Sequence, residues 1–451
     1  MAAWDFGRVS RLVRQRGSLR QGDMAELTGL SQAFLSMLES GARRLTNIDK
    51  IIEFLQGLDV PPDIAPLHLP GRVAATVPQS AVDPLSGDLD PALPWTPGRM
   101  VTALDIAVGG DALDRRKFLT VSGVALTAYA HHWGTTDAEP WYEATQTSAK
   151  VSARTLSALH GIIDDLRMTD AGAGSGTLAK LGRDHLRLIR GFLRNGTYTE
   201  ETGRELAAIA ADTAAQTGWF YFDAGDHERA QIYLLAALRA AHASGDVRLG
   251  AGALSYLAIY GYSTGNPRDA VSAARSAREK TKSLHTPALE AMLLTRQARG
   301  HAKLGEQQGA LAVLGRAAEL CAQGRSEQDP PWLYWVNEGE IYGQSGSCFL
   351  DLGDAQRAVT SLAKAHAALN PTDHRTRGLF LTRAASAYLR QGDVEAGCDS
   401  AHEALDLAEQ LQSHRLNEHV ETMLNDLHAV GDSTYAQELL DRAATLAGAG
   451  P

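Results

Sequence analysis

Over residues 1 to 60 the apolar positions recur at helical spacing, broken by short turns, until Val60-Pro61-Pro62 interrupts the pattern. This predicts a small helical domain over 1–60. Nine of the sixteen prolines (61, 62, 66, 70, 78, 84, 91, 94 and 97) then fall within 37 residues. That density forbids regular helix and leaves few sheet donors, so residues 61–113 read as a Pro-rich linker. Helical sequence returns from about residue 98, and 114–195 read as a helical connecting region. Its interruption, Ala171-Gly172-Ala173-Gly174-Ser175-Gly176, follows a helical pattern rather than a strand and lacks a Gly-Lys-Ser/Thr ending, which sets aside a phosphate-binding loop.

From about residue 212 the chain repeats. Gly225-Asp226, Gly265-Asn266, Gly305-Glu306, Gly353-Asp354, Gly392-Asp393 and Gly431-Asp432 are spaced 40, 40, 48, 39 and 39 apart. Five residues after each glycine stand Ala230, Ala270, Ala310, Ala358, Gly397 and Ala436; twelve after stand Ala237, Ala277, Ala317, Ala365, Ala404 and Ala443. Glycine after an apolar helix suits the left-handed position that stops it, and the polar residue that follows offers an acceptor to the next helix. Alanines seven apart share one face, so the second helix of each pair presses closely on the first. Four residues before the glycine come Tyr221, Phe349, Tyr388 and Leu427, with Gly261 and His301 breaking the pattern. The register of small residue, aromatic, Gly, Ala and Ala resembles the tetratricopeptide repeat, whose usual period is 34 residues. Six repeats are expected over 212–451, with a degenerate earlier one centred on Gly196, so that the array spans 196–451. The resemblance implies a superhelix of stacked helix pairs with a concave binding surface.

Composition agrees with helices. Alanine supplies 72 of 451 residues and aromatics only 6%, a bias away from sheets. The fold class expected is all-α. The formal charge of −10 disfavours nucleic acid only until it is partitioned: Arg8, Arg11, Arg14, Arg16, Arg20, Arg43 and Arg44 give residues 1–48 a net +3, leaving −13 on the rest. A basic end on an acidic body is the asymmetry that matters.

Residues 21–40 read QGDMAELTGLSQAFLSMLES. Ala25, Gly29, Leu30, Leu35 and Leu38 fall where a helix-turn-helix needs a small contact, a turn glycine and three apolar core groups. Ser31 is placed to cap the second helix, and a further helix opens at Thr46 or Asn47. Residues 6–60 resemble the XRE (lambda-repressor-like) DNA-binding domain, a five-helix unit. Arg20 stands where that family has a capping Ser or Thr, Gly22 lies inside a helix, and Leu45 replaces a common Pro. The resemblance implies that the second helix lies in the major groove of a double-stranded DNA operator. Gln32 would pair with adenine, Ala33 would touch a thymine methyl, and Ser36 would reach a base or a phosphate. Phe34 has two open roles, a thymine contact or core packing. Gln21 would hold a phosphate, Arg43 and Arg44 would meet the backbone or a narrow minor groove, and the first-helix arginines are either contacts or a solvated face.

By the repeat family's pattern the groove would be lined by Trp219, Phe222, Tyr262, Arg299, Lys303, Asp351 and Arg390. Aromatics with Arg and Lys in a concavity suit a peptide or small amphipathic ligand, although Trp219 and Phe222 could equally fill the superhelix interior. Trp332, Tyr334 and Trp335 in the longer interval are a second candidate. Cys321, Cys348 and Cys398 form neither a disulfide framework nor a zinc pattern. Neither His131-His132 nor His414 with His419 completes a metal site, and no catalytic motif appears, so no enzyme, metal or cofactor is expected. No stretch has the length of a membrane span, and the N-terminus lacks the apolar region of an export signal. Asp114-Arg115-Arg116-Lys117-Phe118-Leu119-Thr120 imitates a twin-arginine signal, but far from the N-terminus it reads as a helix start running into a buried helix. The expected location is the cytoplasm, at the nucleoid when bound to DNA.

The combination resembles the cytoplasmic transcriptional regulators of actinomycetes and, in architecture, the peptide-pheromone receptor regulators of Gram-positive bacteria. It implies a homodimeric, sequence-specific regulator whose repeats sense a small molecule or peptide, dimerise, or both. The competing expectation is a tetratricopeptide interaction scaffold or antitoxin-like module with weak DNA binding.

Overall fold

A computed structural model describes residues 5–16, 19–58, 60, 89–109, 121–137, 141, 150–173, 175, 177–411, 413–430 and 433–448. Regular structure among them is helical apart from one isolated bridge between Lys150 and Thr197. The all-α expectation holds.

The N-terminal head is built from α1 (Phe6–Arg16), α2 (Gln21–Thr28), α3 (Gln32–Glu39) and α4 (Ile48–Gly57). Four helices, not five, occupy its described residues. The turn between α2 and α3 is made by Gly29 at φ +67°, a left-handed position that an L side chain rarely adopts. Ser31 caps α3 by accepting from the Phe34 N–H at 3.2 Å, and Asn47 Oδ1 accepts from the Lys50 N–H at 3.0 Å where α4 opens. At α2 no Ser or Thr is needed, because the Asp23 carboxylate reaches back to the Arg20 N–H at 2.7 Å. Phe6, Met24, Leu27, Leu35, Leu38, Phe54 and Leu55 form the head's own core, and Leu45 joins it in place of the familiar proline.

The body begins earlier than the proline count suggests. Helix α5 (Pro97–Val108) lies within the expected 61–113 linker, yet Met100, Ala103 and Leu104 are fully buried and it packs on later helices. The reason is positional: Pro97 sits in the first turn, where its missing N–H costs nothing, and Thr96 caps the helix. Arg239 donates to the carbonyls of Asp90 and Pro94, which fastens the preceding turn. Helix α6 (Val124–Thr135) is buried as expected, whereas the Arg-Arg-Lys motif before it lies outside the described residues. Helix α7 (Ala153–Ala173) runs through half of the supposed glycine loop, and Ser175 donates to Asp170 rather than facing a phosphate. Helix α8 (Leu178–Asn195) completes this region.

Six helical hairpins follow, as the glycine spacing predicts. They pair α9 (Glu200–Asp223) with α10 (His227–Ser244), α11 (Val247–Ser263) with α12 (Pro267–Thr281), and α13 (Pro287–Lys303) with α14 (Gln307–Gln323). Then α15 (Glu338–Asp351) pairs with α16 (Ala355–Ala368), α17 (His374–Gln391) with α18 (Val394–Gln410), and α19 (His414–His428) with α20 (Thr434–Gly448). Gly225, Gly265, Gly305, Gly353 and Gly392 all have φ between +74° and +90°. Gly431 lies outside the described residues. Every aligned small residue is buried except Ala443, which is half-buried. Gly261 breaks the aromatic position for a reason: a Cβ there would sit 3.0 Å from the Ala270 nitrogen and the Asn266 carbonyl. Gly196, by contrast, is extended at φ −76°, and the helix after it is already the first of the Gly225 pair, so the degenerate repeat is not a separate hairpin.

The stacked hairpins curve until the last elements touch the first. Helix α17 packs against α7, where Arg375 pairs with Asp170, and α19 meets α9, where Ser413 Oγ donates to Asp223 at 3.0 Å. A concave surface is thereby turned into an interior.

Candidate nucleic-acid interface and cavity

The head presents α3 outward. Ser31, Gln32, Ala33 and Ser36 are exposed along it, as are Arg43 and Arg44 just beyond. Met37, which the sequence reading passed over, is exposed on the same helix. Phe34 is half-buried and packs against the head core. Glu39 at the end of α3 is 6% exposed and accepts from Ser10 Oγ at 2.9 Å and from Arg14 Nε and Nη2 at 3.1 and 2.9 Å. Burial pushes its carboxyl upward, but the bonds from Arg14, Ser10 and Gln21 outweigh that and hold it below the ordinary value. Gln21 is half-buried with Nε2 turned to Glu39 at 3.4 Å, and Arg14 is committed to the same carboxylate.

The opposite side of the head is docked on the body. Helix α2 packs on α12, where the Glu26 carboxylate meets Arg275 and Arg268 Nη1 donates to the Glu26 carbonyl at 3.3 Å. Asp23 lies 3.7 Å from His131 of α6, and Ala128 of α6 joins the head core. Burial pushes the Glu26 carboxyl up to about 7, although Arg275 pulls the other way. The acidic face of α2 thus meets a basic stretch of the body, and the basic edge of the head faces away.

Inside the superhelix is a cavity of about 240 Å³. It is far larger than the roughly 10–15 Å³ that holds one water. Its wall comes from α7 and from the first helix of each hairpin, together with the segment between α14 and α15. Trp219, Tyr256, Trp332, Trp335 and Phe380 give it apolar surface; Trp219 and Tyr256 stack with centroids 5.2 Å apart. Gly252 admits Trp332, since a Cβ would lie 3.0 Å from the indole. Arg167, Arg296, Arg375, Arg383 and Arg415 reach the same space. Arg167 pairs with Asp212, Arg296 with Glu340 and Arg375 with Asp170.

Of the seven groove residues expected, Trp219 and Tyr262 line the cavity. Phe222 lies behind Trp219, with centroids 5.8 Å apart. Asp351 gathers Arg299 at 2.7 Å and Lys303 at 2.9 Å into an ion cluster next to Tyr262, over whose ring Arg299 stands. Arg390 is half-exposed and bound to Asp426, apart from the cavity. The two separate candidates, Trp219 and the Trp332–Trp335 segment, line the same cavity. Arg375, Arg383 and Arg415 were missed because they sit near the starts and middles of α17 and α19, away from the offsets counted back from glycine. No helix among the described residues is long and apolar enough to cross a membrane, and no group of three potential metal ligands occurs among them.

The Helix-turn-helix family model matches residues 11–64. The N-terminal unit is therefore an XRE-like helix-turn-helix domain, a DNA-binding regulatory type and not a catalytic one. No curated protein matches the chain.

Proposed function

We propose that the protein is a sequence-specific transcriptional regulator that acts as a homodimer and whose array, of tetratricopeptide type, senses a small ligand. The observation that carries this reading is the orientation of the head: α3 stands clear with Gln32, Ala33 and Ser36 exposed while α2 is held against the body. An anchored domain with a free reading face suits an operator contact under control of the array. Between head and cavity there is one hairpin, since α12 receives the head and its partner α11 carries Tyr256 and Tyr262 of the cavity wall. Leu181 and Leu188, seven residues apart on α8, are exposed on either side of the Asp184–Arg187 pair, and this face is offered to a second copy.

The test is selection of bound sites from fragmented genomic DNA of the source organism by the full-length protein, followed by footprinting. Discrete protected sites with two related half-sites about 34 Å apart are expected; protection of no site overturns the reading. Leu181→Glu with Leu188→Glu is expected to halve the native mass and weaken operator binding. An unchanged native mass removes α8 from the dimer.

A further inference from the structure

We infer that the cavity is built for a small anionic molecule with a flat apolar body, whose carboxylate or phosphate is held by Arg383 and Arg415. The inference rests on the reading of the array as a sensor and names the class of ligand it takes.

Arg383 and Arg415 are 7% and 9% exposed, and both line the cavity. Every other cation of the site has a carboxylate partner, as Arg167, Arg296, Arg299, Lys303 and Arg375 show. Arg383 meets only the imidazole of His419, at 3.3 Å, and the ring of Phe380. Arg415 stands over Trp219 and Phe222, with its Nε buried and unbonded. Two nearby carboxyls do not neutralise the pair. Asp351, which acts on Arg383, is already bound to Arg299 and Lys303, and Asp223, which acts on Arg415, accepts from Ser413 and is pushed upward by burial. Burial, with Arg299 and Arg415 close by, drives the Arg383 guanidinium down to about 9, and burial lowers Arg415 as well. Desolvated cations without an ion-paired carboxylate of their own are costly, and the position that relieves them is an anion inside the cavity.

The neighbouring surface defines the rest of the ligand. Trp219, Trp332 and Trp335 supply flat apolar faces within the same space, which suits a planar hydrocarbon or heteroaromatic body. Size and closure favour a small molecule over an extended peptide. The Asp170–Arg375 and Asp223–Ser413 contacts join the last hairpins to α7 and α9 around the cavity.

The probes are 8-anilinonaphthalene-1-sulfonate and its uncharged analogue N-phenyl-1-naphthylamine, titrated by fluorescence into full-length protein. One sulfonate probe per chain is expected, bound at least about tenfold more tightly than the neutral one. Arg415→Gln and Arg383→Gln are each expected to abolish that preference while leaving neutral-probe affinity within about threefold, and Arg415→Lys to retain part of it. Failure of the sulfonate to bind, equal affinities for the two probes, or a preference that survives both glutamine variants overturns the anion site. Sensing is judged separately, by whether the bound probe shifts affinity for the selected DNA site. A probe bound with charge preference that leaves DNA affinity unchanged refutes the sensing reading and leaves the anion site standing.

Discussion

Glu39→Ala is expected to destabilise the reading head while leaving the array intact. The carboxylate ties three helices together: Ser10 and Arg14 come from α1, Gln21 from α2, and Glu39 itself ends α3. Breaking a buried ion pair by removing one partner costs about 3–5 kcal/mol. Arg14 keeps 28% of its side chain accessible and can turn towards water, which places the expected loss near the lower end, about 3 kcal/mol. A head of some 55 residues at roughly 0.05–0.15 kcal/mol per residue has about 3–8 kcal/mol to lose. Hydrogen exchange of the full-length variant should show protection falling about a hundredfold in α1–α4 peptides, with α9–α18 peptides unchanged. Head protection within threefold of wild type would refute the reasoning. The pH dependence follows from the same network. Because the folded carboxyl is held below the ordinary 4.5, its contribution is present above that value and is lost as pH falls through the depressed one. Glu39→Gln should weaken the head at neutral pH and flatten that acid-side loss.

Four other substitutions test separate parts of the structure. Gln32→Ala should cost about 1–3 kcal/mol at the base it reads, whereas Arg43→Ala should weaken all sites alike and reduce the slope of log affinity against log salt by about 0.9; binding titrations at several salt concentrations separate the two, and identical behaviour would contradict the assignment. Gly57→Ala would place a Cβ 1.8 Å from the Leu27 carbonyl, forcing α4 off α2; a loss of about 1–3 kcal/mol is expected from the urea midpoint of the head, and an unchanged midpoint would disprove the close approach. Arg375→Ala leaves Asp170 buried without its cation, and the melting temperature of the array should drop by an amount corresponding to about 3–5 kcal/mol. Adding Asp170→Asn should recover part of that drop; no recovery would mean that the pair is not the source.

The hairpins were legible because their signal is local. Gly225 and its successors must adopt positive φ, and Ala230 and its successors must be small, so the chain carries one mark for each stop and each contact. The head was legible for the same reason, through Gly29, Ser31 and Asn47. The cavity was only half legible. Counting back from glycine finds side chains on the concave face of an open superhelix, and it gave Trp219 and Tyr262. It has no means of showing that the stack closes, and closure is what turns Arg375 and Arg415 inward from helices some 200 residues along the chain from their neighbours on α7 and α9. Pro97 misled in the opposite way: prolines counted by density argue against helix, whereas a proline at the first turn begins one.

The charge asymmetry also takes a different form in three dimensions. A head of net +3 on a body of −13 suggests two bodies distinguished by sign. Within the head, Arg14 is spent on Glu39 and Arg20 on Asp23, while Arg43 and Arg44 beside α3 and Arg8 and Arg11 on α1 are exposed. Within the body, α12 presents Arg268 and Arg275 to an acidic face of the head around Glu26. The head is thus oriented by a local reversal of the global pattern: its acidic side is drawn to a basic strip of an acidic array, and its basic edge is left facing solvent. Because the strip belongs to α12 and the other half of that hairpin lines the cavity, any occupant that shifts α11 acts on the surface that fixes the head's orientation. The proposed control of DNA binding would then need no long pathway through the array, only a change in one hairpin.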